Sequence, residues 1–206
     1  MHLAHPLQSL SPSLDMRVLT CVARSTKIYS LGEIADYAGA SRPGVRLAAE
    51  RLAEQGLLDE ISIGRTRGYS LNREHVLTEP LLAAANGRAT AISRIRERIE
   101  GWTLPAQHAV LFGSAARREG DASSDVDLLI VPQAEGAHQD DLWSTQILEL
   151  VTAVRRWTGN SCDVVTLSPK EWSDLSDSDE PFAVEIRREG MDLLEQSRAF
   201  LASSSQ

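Results

Sequence analysis

LFGSAARREGDASSDVDLLIV, residues 111–131, is the stretch from which the rest of the chain is read. It extends Ala109-Val110 into an apolar run that stops at Gly113-Ser114, the pattern of a buried strand ended by a turn. After ten intervening residues, Ala115 to Ser124, a second strand opens with Asp125 and Asp127 and continues as Leu128-Leu129-Ile130-Val131. Side chains alternate faces along a strand, so the two aspartates share a face, roughly 6 to 7 Å apart at about 3.3 Å per residue. Two carboxylates this close repel unless a cation or a proton lies between them, and hard oxygen ligands suit Mg²⁺ or Mn²⁺. Gly113 allows a ligand close to the backbone. Ser114 offers a hydroxyl and the first free amides of a following helix, a turn suited to phosphate.

Glycine-serine, ten residues, then Asp-x-Asp resembles the nucleotidyltransferase domain of the DNA polymerase beta superfamily, in particular its minimal nucleotidyltransferases. The likeness is close over residues 109–131 and looser over 102–194. It implies a third carboxylate on a neighbouring strand, for which Asp163 in Ser161-Cys162-Asp163-Val164-Val165-Thr166-Leu167 is the matching residue. It also implies a basic residue near the turn, matched by Arg117. On this resemblance Asp125, Asp127 and Asp163 are the catalytic and metal-holding residues, for Mg²⁺ or Mn²⁺. Gly113, Ser114 and Arg117 are the nucleotide-binding residues, with ATP or another nucleoside triphosphate as substrate. Such domains often act as antitoxins that transfer AMP to a toxin protein encoded nearby; relatives adenylylate aminoglycosides or extend RNA. A P-loop NTPase is excluded, because no G-x-x-x-x-G-K-[ST] occurs.

Composition sets the frame around this stretch. The 206 residues suffice for one large domain or two small ones. An apolar fraction of 42% is ordinary for a globular protein, and no apolar run approaches the length of a membrane helix. The N-terminus, Met1-His2-Leu3-Ala4-His5-Pro6, lacks the pattern of a signal peptide, so a cytoplasmic protein with no membrane partner is expected. Cys21 and Cys162 are too few for a disulfide framework or a zinc site and are expected as buried, reduced thiols. The net charge of −8 is unevenly spread: residues 1–85 hold nine Lys+Arg and nine Asp+Glu, and residues 86–206 hold twelve against twenty. Any nucleic-acid contact must therefore come from a local patch.

The first 85 residues read differently. Residues 1–12 form a loose arm, and Leu14, Val18, Leu19 and Val22 recur at helical spacing. Ser30-Leu31-Gly32-Glu33 has the form of a capping box. After Gly39-Ala40-Ser41 a third helix begins, with Pro43 in its first turn and Val45, Leu47, Ala48, Leu52 and Ala53 along it. Leu57 to Ile63 and Tyr69 to Leu71 read as hairpin arms around a tip at residues 64–68. Two helices joined by a short glycine turn and followed by a hairpin resemble a winged helix-turn-helix domain. Arg42 and Arg46, early in the would-be recognition helix, and Arg65 and Arg67, on the wing, are the expected contacts to duplex DNA. Winged helix regulators usually bind as dimers, so a homodimer is expected.

The expected fold is α+β: an N-terminal winged helix-turn-helix domain over 1–73, a helical linker over 74–101, and a nucleotidyltransferase domain with a small mixed sheet and flanking helices over 102–206. In the linker, Ala91, Ile92, Ile95 and Ile99 mark an amphipathic helix. Beyond the second strand, Leu142 to Trp157 is a helix with Leu142, Ile147, Leu150, Val151 and Val154 on its buried side. Ser168 to Glu171 starts another, Pro181 to Ile186 a third, Met191 to Leu194 is strand-like, and residues 202–206 are frayed. The four tryptophans are expected in cores or interfaces rather than as base-stacking platforms. Three functions fit: a protein-directed nucleotidyltransferase whose DNA-binding domain autoregulates transcription, a DNA-binding regulator whose nucleotidyltransferase fold senses nucleotide, and an aminoglycoside-type adenylyltransferase.

Overall fold

The computed structural model describes residues 1–63 and 66–194. The chain is mixed α+β, with two small sheets, and divides into two compact units. One contains His2 and residues 4–87; the other contains Met1, Leu3 and the chain from Arg88. The division at Gly87–Arg88 falls inside the stretch read as a linker. Among the described residues no helix is long and apolar enough to cross a membrane. The expected fraying of residues 202–206 concerns chain outside the described residues, and residues 1–12 are not the loose arm expected, since Leu3 and Leu7 are buried and Pro6–Ser9 form a 3-10 turn.

The N-terminal unit runs α1 (Leu14–Ala23), β1 (Tyr29–Ser30), α2 (Leu31–Ala38), α3 (Arg42–Glu54), β2 (Leu58–Ile63), β3 (Thr66–Leu71) and α4 (Thr78–Ala85). Ser30 accepts from the Glu33 amide and the Glu33 carboxylate accepts from the Ser30 amide, so two orphan donors of α2 are satisfied reciprocally. Helix α2 stops at Gly39, whose φ of 56° is left-handed, and Ser41 caps α3 three residues ahead of Gly44. Val18, Leu19, Val22, Ile34, Val45, Leu52, Leu58, Tyr69 and Leu71 form the core. Val45, Ala48, Ala49 and Leu52 take the inward phase of α3, which leaves Leu47 56% exposed.

The hairpin differs from the sequence expectation. Strands β2 and β3 pair antiparallel from Leu58↔Leu71 to Ile63↔Thr66, so Thr66, Arg67 and Gly68 belong to the strand rather than the tip. The reason is long-range: β3 is the central strand, with β1 on its other edge through Tyr29↔Tyr69 and Ser30↔Gly68. A two-residue strand such as β1 has no periodicity to read.

The C-terminal unit follows α5 (Gly87–Glu100) with β4 (Ala106–Phe112), α6 (Gly113–Arg117), β5 (Val126–Pro132), α7 (Asp141–Thr158), β6 (Cys162–Thr166), α8 (Pro169–Ser176), α9 (Pro181–Glu189) and β7 (Met191–Asp192). The sheet order is β6-β5-β4-β7; β5 and β6 are parallel, joined by α7, and the other pairs are antiparallel. Strand β5 is covered on both faces, hence its unbroken apolar run. Leu111, Leu128 and Ile130 join Ile95, Ile99, Trp102, Trp143, Leu150 and Val154 in one cluster. Val110, Leu129 and Val131 pack with Ile186, Phe112, Trp172 and Phe182 on the opposite side. Trp102 and Trp143 meet edge to face at 5.2 Å and are core residues.

Helix α7 corrects one expectation. Its buried positions are Trp143, Gln146, Leu150, Val154 and Thr158, and Leu142 is 41% exposed. Gln146 can lie inside because its amide is satisfied twice: Oε1 accepts from the Leu104 amide at 3.1 Å and Nε2 donates to the Leu104 carbonyl at 3.2 Å. Leu150 and Val154 are buried as expected and Ile147 and Val151 pack against the same cluster, so of the expected positions Leu142 alone falls off the inward face.

Candidate active site

The C-terminal end of β4 and the N-terminal ends of β5 and β6 place the sequence-selected residues together. The β4–β5 register sets Phe112 opposite Asp127, and the β5–β6 register sets Asp127 beside Asp163. Asp125 precedes the first residue of β5. Parity along β5 puts Asp127 on the same face as Leu129 and Val131, the face covered by α9.

Gly113 follows Phe112 directly and has a φ of 65°. A Cβ built on it would lie 2.4 Å from Asp127 Oδ2, so glycine is demanded twice, by the left-handed backbone and by the carboxylate against it. Gly113 opens α6, which has no side-chain cap. That leaves its first amides without intrahelical partners, next to Ser114. The helix ends after five residues at Arg118, a non-glycine residue with φ 63° whose amide donates back to the Ser114 carbonyl. A left-handed arginine stores strain on the order of 1 kcal/mol beside the turn.

Charge is concentrated around Asp127. Burial raises its proton affinity first, followed by Asp125, Asp163 and Glu185; Arg117 acts in the opposite sense. Among the described residues no three His, Cys, Asp or Glu side chains are already gathered around one cation position. The chemistry of the donors fits a hard divalent cation nevertheless: Asp127 and Asp163 lie in register with Asp125 two residues before, Asp127 resists ionisation through burial and then through these neighbours, and its carboxylate stands against the bare Gly113 backbone. Glu185 is a fourth acidic neighbour that the sequence did not single out, because it lies on α9, about sixty residues from the motif.

Arg117 is heavily engaged. Its Nε donates to Glu119 Oε2 at 2.9 Å, and Nη1 donates to Glu189 at 2.7 Å and Glu185 at 3.5 Å. The glutamates hold its guanidinium more firmly protonated than usual. With Pro181, Val184, Glu185, Arg188 and Glu189 it lines a concavity of about 540 Å³. A phosphate would have to draw Arg117 out of this clasp.

Two further residues shape the site without belonging to the motif. Asn160, 2% exposed, donates from Nδ2 to the carbonyls of Asp121 at 3.1 Å and Ser124 at 2.8 Å. The Asp121 carboxylate accepts from the amides and hydroxyls of Ser123 and Ser124, which draw its pKa down to about 2, the Ser123 hydroxyl foremost. The loop that delivers Asp125 is thus pinned from both sides. Arg88 donates to the carbonyls at the end of α6. Cys162 is free and buried, and burial pushes its thiol up to about 12; Cys21 is likewise free and buried, pushed up to about 11.

No family model matches the chain, and no curated protein matches it. A solved structure is among those that resemble it. Described as a crystal structure of a toxin-antitoxin with AMP-PNP, it shares 16% identity at a TM-score of 0.34, over 56% of this chain and 81% of its own. A likeness this slight carries no argument about fold or function.

In the N-terminal unit, Arg42, Arg46 and Arg67 line one concavity of about 630 Å³ together with Ser30, Leu31, Gly32, Pro43 and Thr66. Arg65 lies outside the described residues. Arg46 approaches Glu50 at 3.9 Å, and Arg67 approaches Glu50 at 3.8 Å and Glu60 at 3.2 Å. The exposed arginines are therefore partly matched by glutamates of α3 and β2.

Proposed function

We propose that the C-terminal unit is a metal-dependent nucleotidyltransferase that moves a nucleoside monophosphate, AMP from ATP, onto an acceptor hydroxyl of a partner protein, in the manner of an antitoxin modifying its toxin. The observation that carries this reading is the register that sets the Gly113 turn, Asp127 and Asp163 side by side, with Gly113 obligatory against Asp127. Asp125, Asp127 and Asp163 would hold Mg²⁺ or Mn²⁺. When bound, the metal neutralises charge on the attacking and leaving oxygens. Gly113 and Ser114 would bind the β- and γ-phosphates through their amides and the Ser114 hydroxyl, and Arg117 would exchange glutamate partners for phosphate oxygens. The acceptor oxygen bonds to the α-phosphorus as the α–β bridge breaks, pyrophosphate leaves with the bonding pair, and the acceptor's proton passes to Asp163.

The N-terminal unit, on the same proposal, is a winged helix-turn-helix that binds duplex DNA as a homodimer and autoregulates transcription. Its support is the element order, helix, short strand, two helices, hairpin, and the gathering of Arg42, Arg46 and Arg67 around one concavity. A second reading, a DNA-binding regulator that only senses nucleotide, is favoured by the clasp of three glutamates on Arg117.

The test is incubation with Mg²⁺ and ATP radiolabelled at the α-phosphate, together with the product of the adjacent gene, followed by denaturing electrophoresis. Label on the partner that disappears with Asp125→Ala is the expected result. ATP binding without label on any protein, or label that survives Asp125→Ala, would sink the transferase.

A further inference from the structure

We infer that Arg88 is the positioning residue of the Gly113–Ser114 turn, acting through the end of α6; the inference rests on the nucleotidyl-transfer reading for its consequence but not for its geometry. Helix α6 has five residues and cannot hold itself: a single turn fixes several dihedrals for one or two hydrogen bonds. Its last carbonyls also lack intrahelical partners. Arg88, from the first turn of α5, meets that need from outside the segment. Its Nε and Nη2 both donate to the Ala115 carbonyl, at 3.1 and 2.8 Å, and Nη2 reaches the Ala116 carbonyl at 3.3 Å.

The guanidinium is suited to this in two ways. Its planar fork spans two adjacent carbonyls with fixed geometry, which an ammonium on a flexible stem cannot do. A cation also complements the negative end of a helix. Arg88 is partly buried, and the charged neighbour that bears on it is another arginine, Arg118, rather than a carboxylate. Two guanidinium groups at the end of α6 leave positive charge under the turn that anionic phosphates would meet.

The brace restrains Gly113 and Ser114 only through two peptide units, so its loss should loosen the turn while the carboxylates of β5 and β6 stay in register. Ground-state binding of the triphosphate then suffers more than the chemical step.

The experiment uses the full chain with Arg88→Lys and Arg88→Met, measuring amide hydrogen exchange, Mg·ATP affinity, steady-state transfer and melting temperature. In both variants exchange at the Arg118 and Glu119 amides, which donate to the Ser114 carbonyl, should quicken by about tenfold. The KM for ATP should rise by about tenfold while kcat falls less than about threefold, the loss expected for a charge-assisted contact. Arg88→Lys with wild-type exchange and KM would overturn the inference, since charge alone would then suffice. Wild-type exchange in both variants, or a fall in kcat without a rise in KM, would also overturn it. Should Arg88→Met fail to fold, Arg88→Lys decides. Should the wild type neither bind nor turn over ATP, the transferase reading fails by itself, and hydrogen exchange still decides whether Arg88 braces the turn.

Discussion

The arginine concavity of the N-terminal unit and the carboxylate edge of the C-terminal unit are both gatherings of like charge, treated oppositely. Arg46 and Arg67 have Glu50 and Glu60 within ion-pair reach, supplied by the elements that carry or flank them. Asp127 has Asp125, Asp163 and Glu185 around it, while Arg117, the cation that opposes them, is held by Glu185 itself and by Glu119 and Glu189. One cluster is partly balanced by its own glutamates. The other sets acidic groups against one another, and an arrangement that opposes stability in this way is expected where a ligand supplies the missing charge.

Replacing Asp127 tests that contrast most severely. Asp127→Asn should lower transfer by about a thousandfold, the scale of removing a principal electrostatic group, while raising the melting temperature at neutral pH. The sign follows from a raised folded-state pKa: this group favours the folded state fully below its ordinary value of 3.8, and that contribution is lost as pH rises through the folded value. The gain in melting temperature should therefore shrink as the pH approaches 3.8. Mg²⁺ should stabilise the wild type more than the variant. A variant melting below the wild type at neutral pH would break the comparison.

Gly113→Ala comes next. With φ at 65° and a Cβ 2.4 Å from Asp127 Oδ2, either the turn or the carboxylate must move. Activity should fall by about a hundredfold, because misplacement near 1 Å suffices for that, and stability by about 1–3 kcal/mol from the strained backbone. Transfer assays with thermal melts check both, and an active, equally stable variant would remove Gly113 from the site.

The arginine concavity responds more gently. Glu50→Gln frees Arg46 and Arg67 of a shared neighbour, so affinity for duplex DNA measured by anisotropy should rise by about three- to tenfold. Arg46→Ala should lower it and reduce the slope of log affinity against log salt by about one. No change with Glu50→Gln would show that the glutamates do not balance these arginines.

The smallest effect concerns a cap. Ser30→Ala should lower stability by about 1 kcal/mol. Its partner Glu33 is drawn down to about 2, first by Lys27 and then by the Ser30 amide and hydroxyl. That stabilisation is present above the ordinary value of 4.5 and is lost as pH falls towards 2, the opposite sense to Asp127. Melting curves of Glu33→Gln and Asp127→Asn across this range should diverge from the wild type in opposite directions.

Local signals carried far in this chain. The Ser30 capping box, the Gly39 terminator and the Ser41 cap depend on residues within four positions of one another, and each forms as its spacing predicts. The alternation by which Asp125 and Asp127 are read onto one face is likewise a property of consecutive residues, although Asp125 itself precedes β5. Where neighbours in space are distant in sequence, the signal failed: β1 is visible only through its pairing with β3, and the buried place of Gln146 on α7 only through the two hydrogen bonds it exchanges with the Leu104 backbone. Glu185, Asn160 and Arg88 act on the site from other elements, and nothing in their own surroundings in the sequence marks them.

The amino-acid sequence by itself determined the helices and strands with strong period, the glycine turn between two apolar strands, and the spacing of the aspartates, because each is decided by short-range sterics and hydrogen bonding. Only the tertiary structure decided that Asp163 lies in register with Asp127, that Gly113 has no room for a side chain, and that Arg117 is clasped by glutamates rather than standing open. Those facts depend on strand order and on helices that return to the sheet, and such long-range packing is set by the whole chain at once.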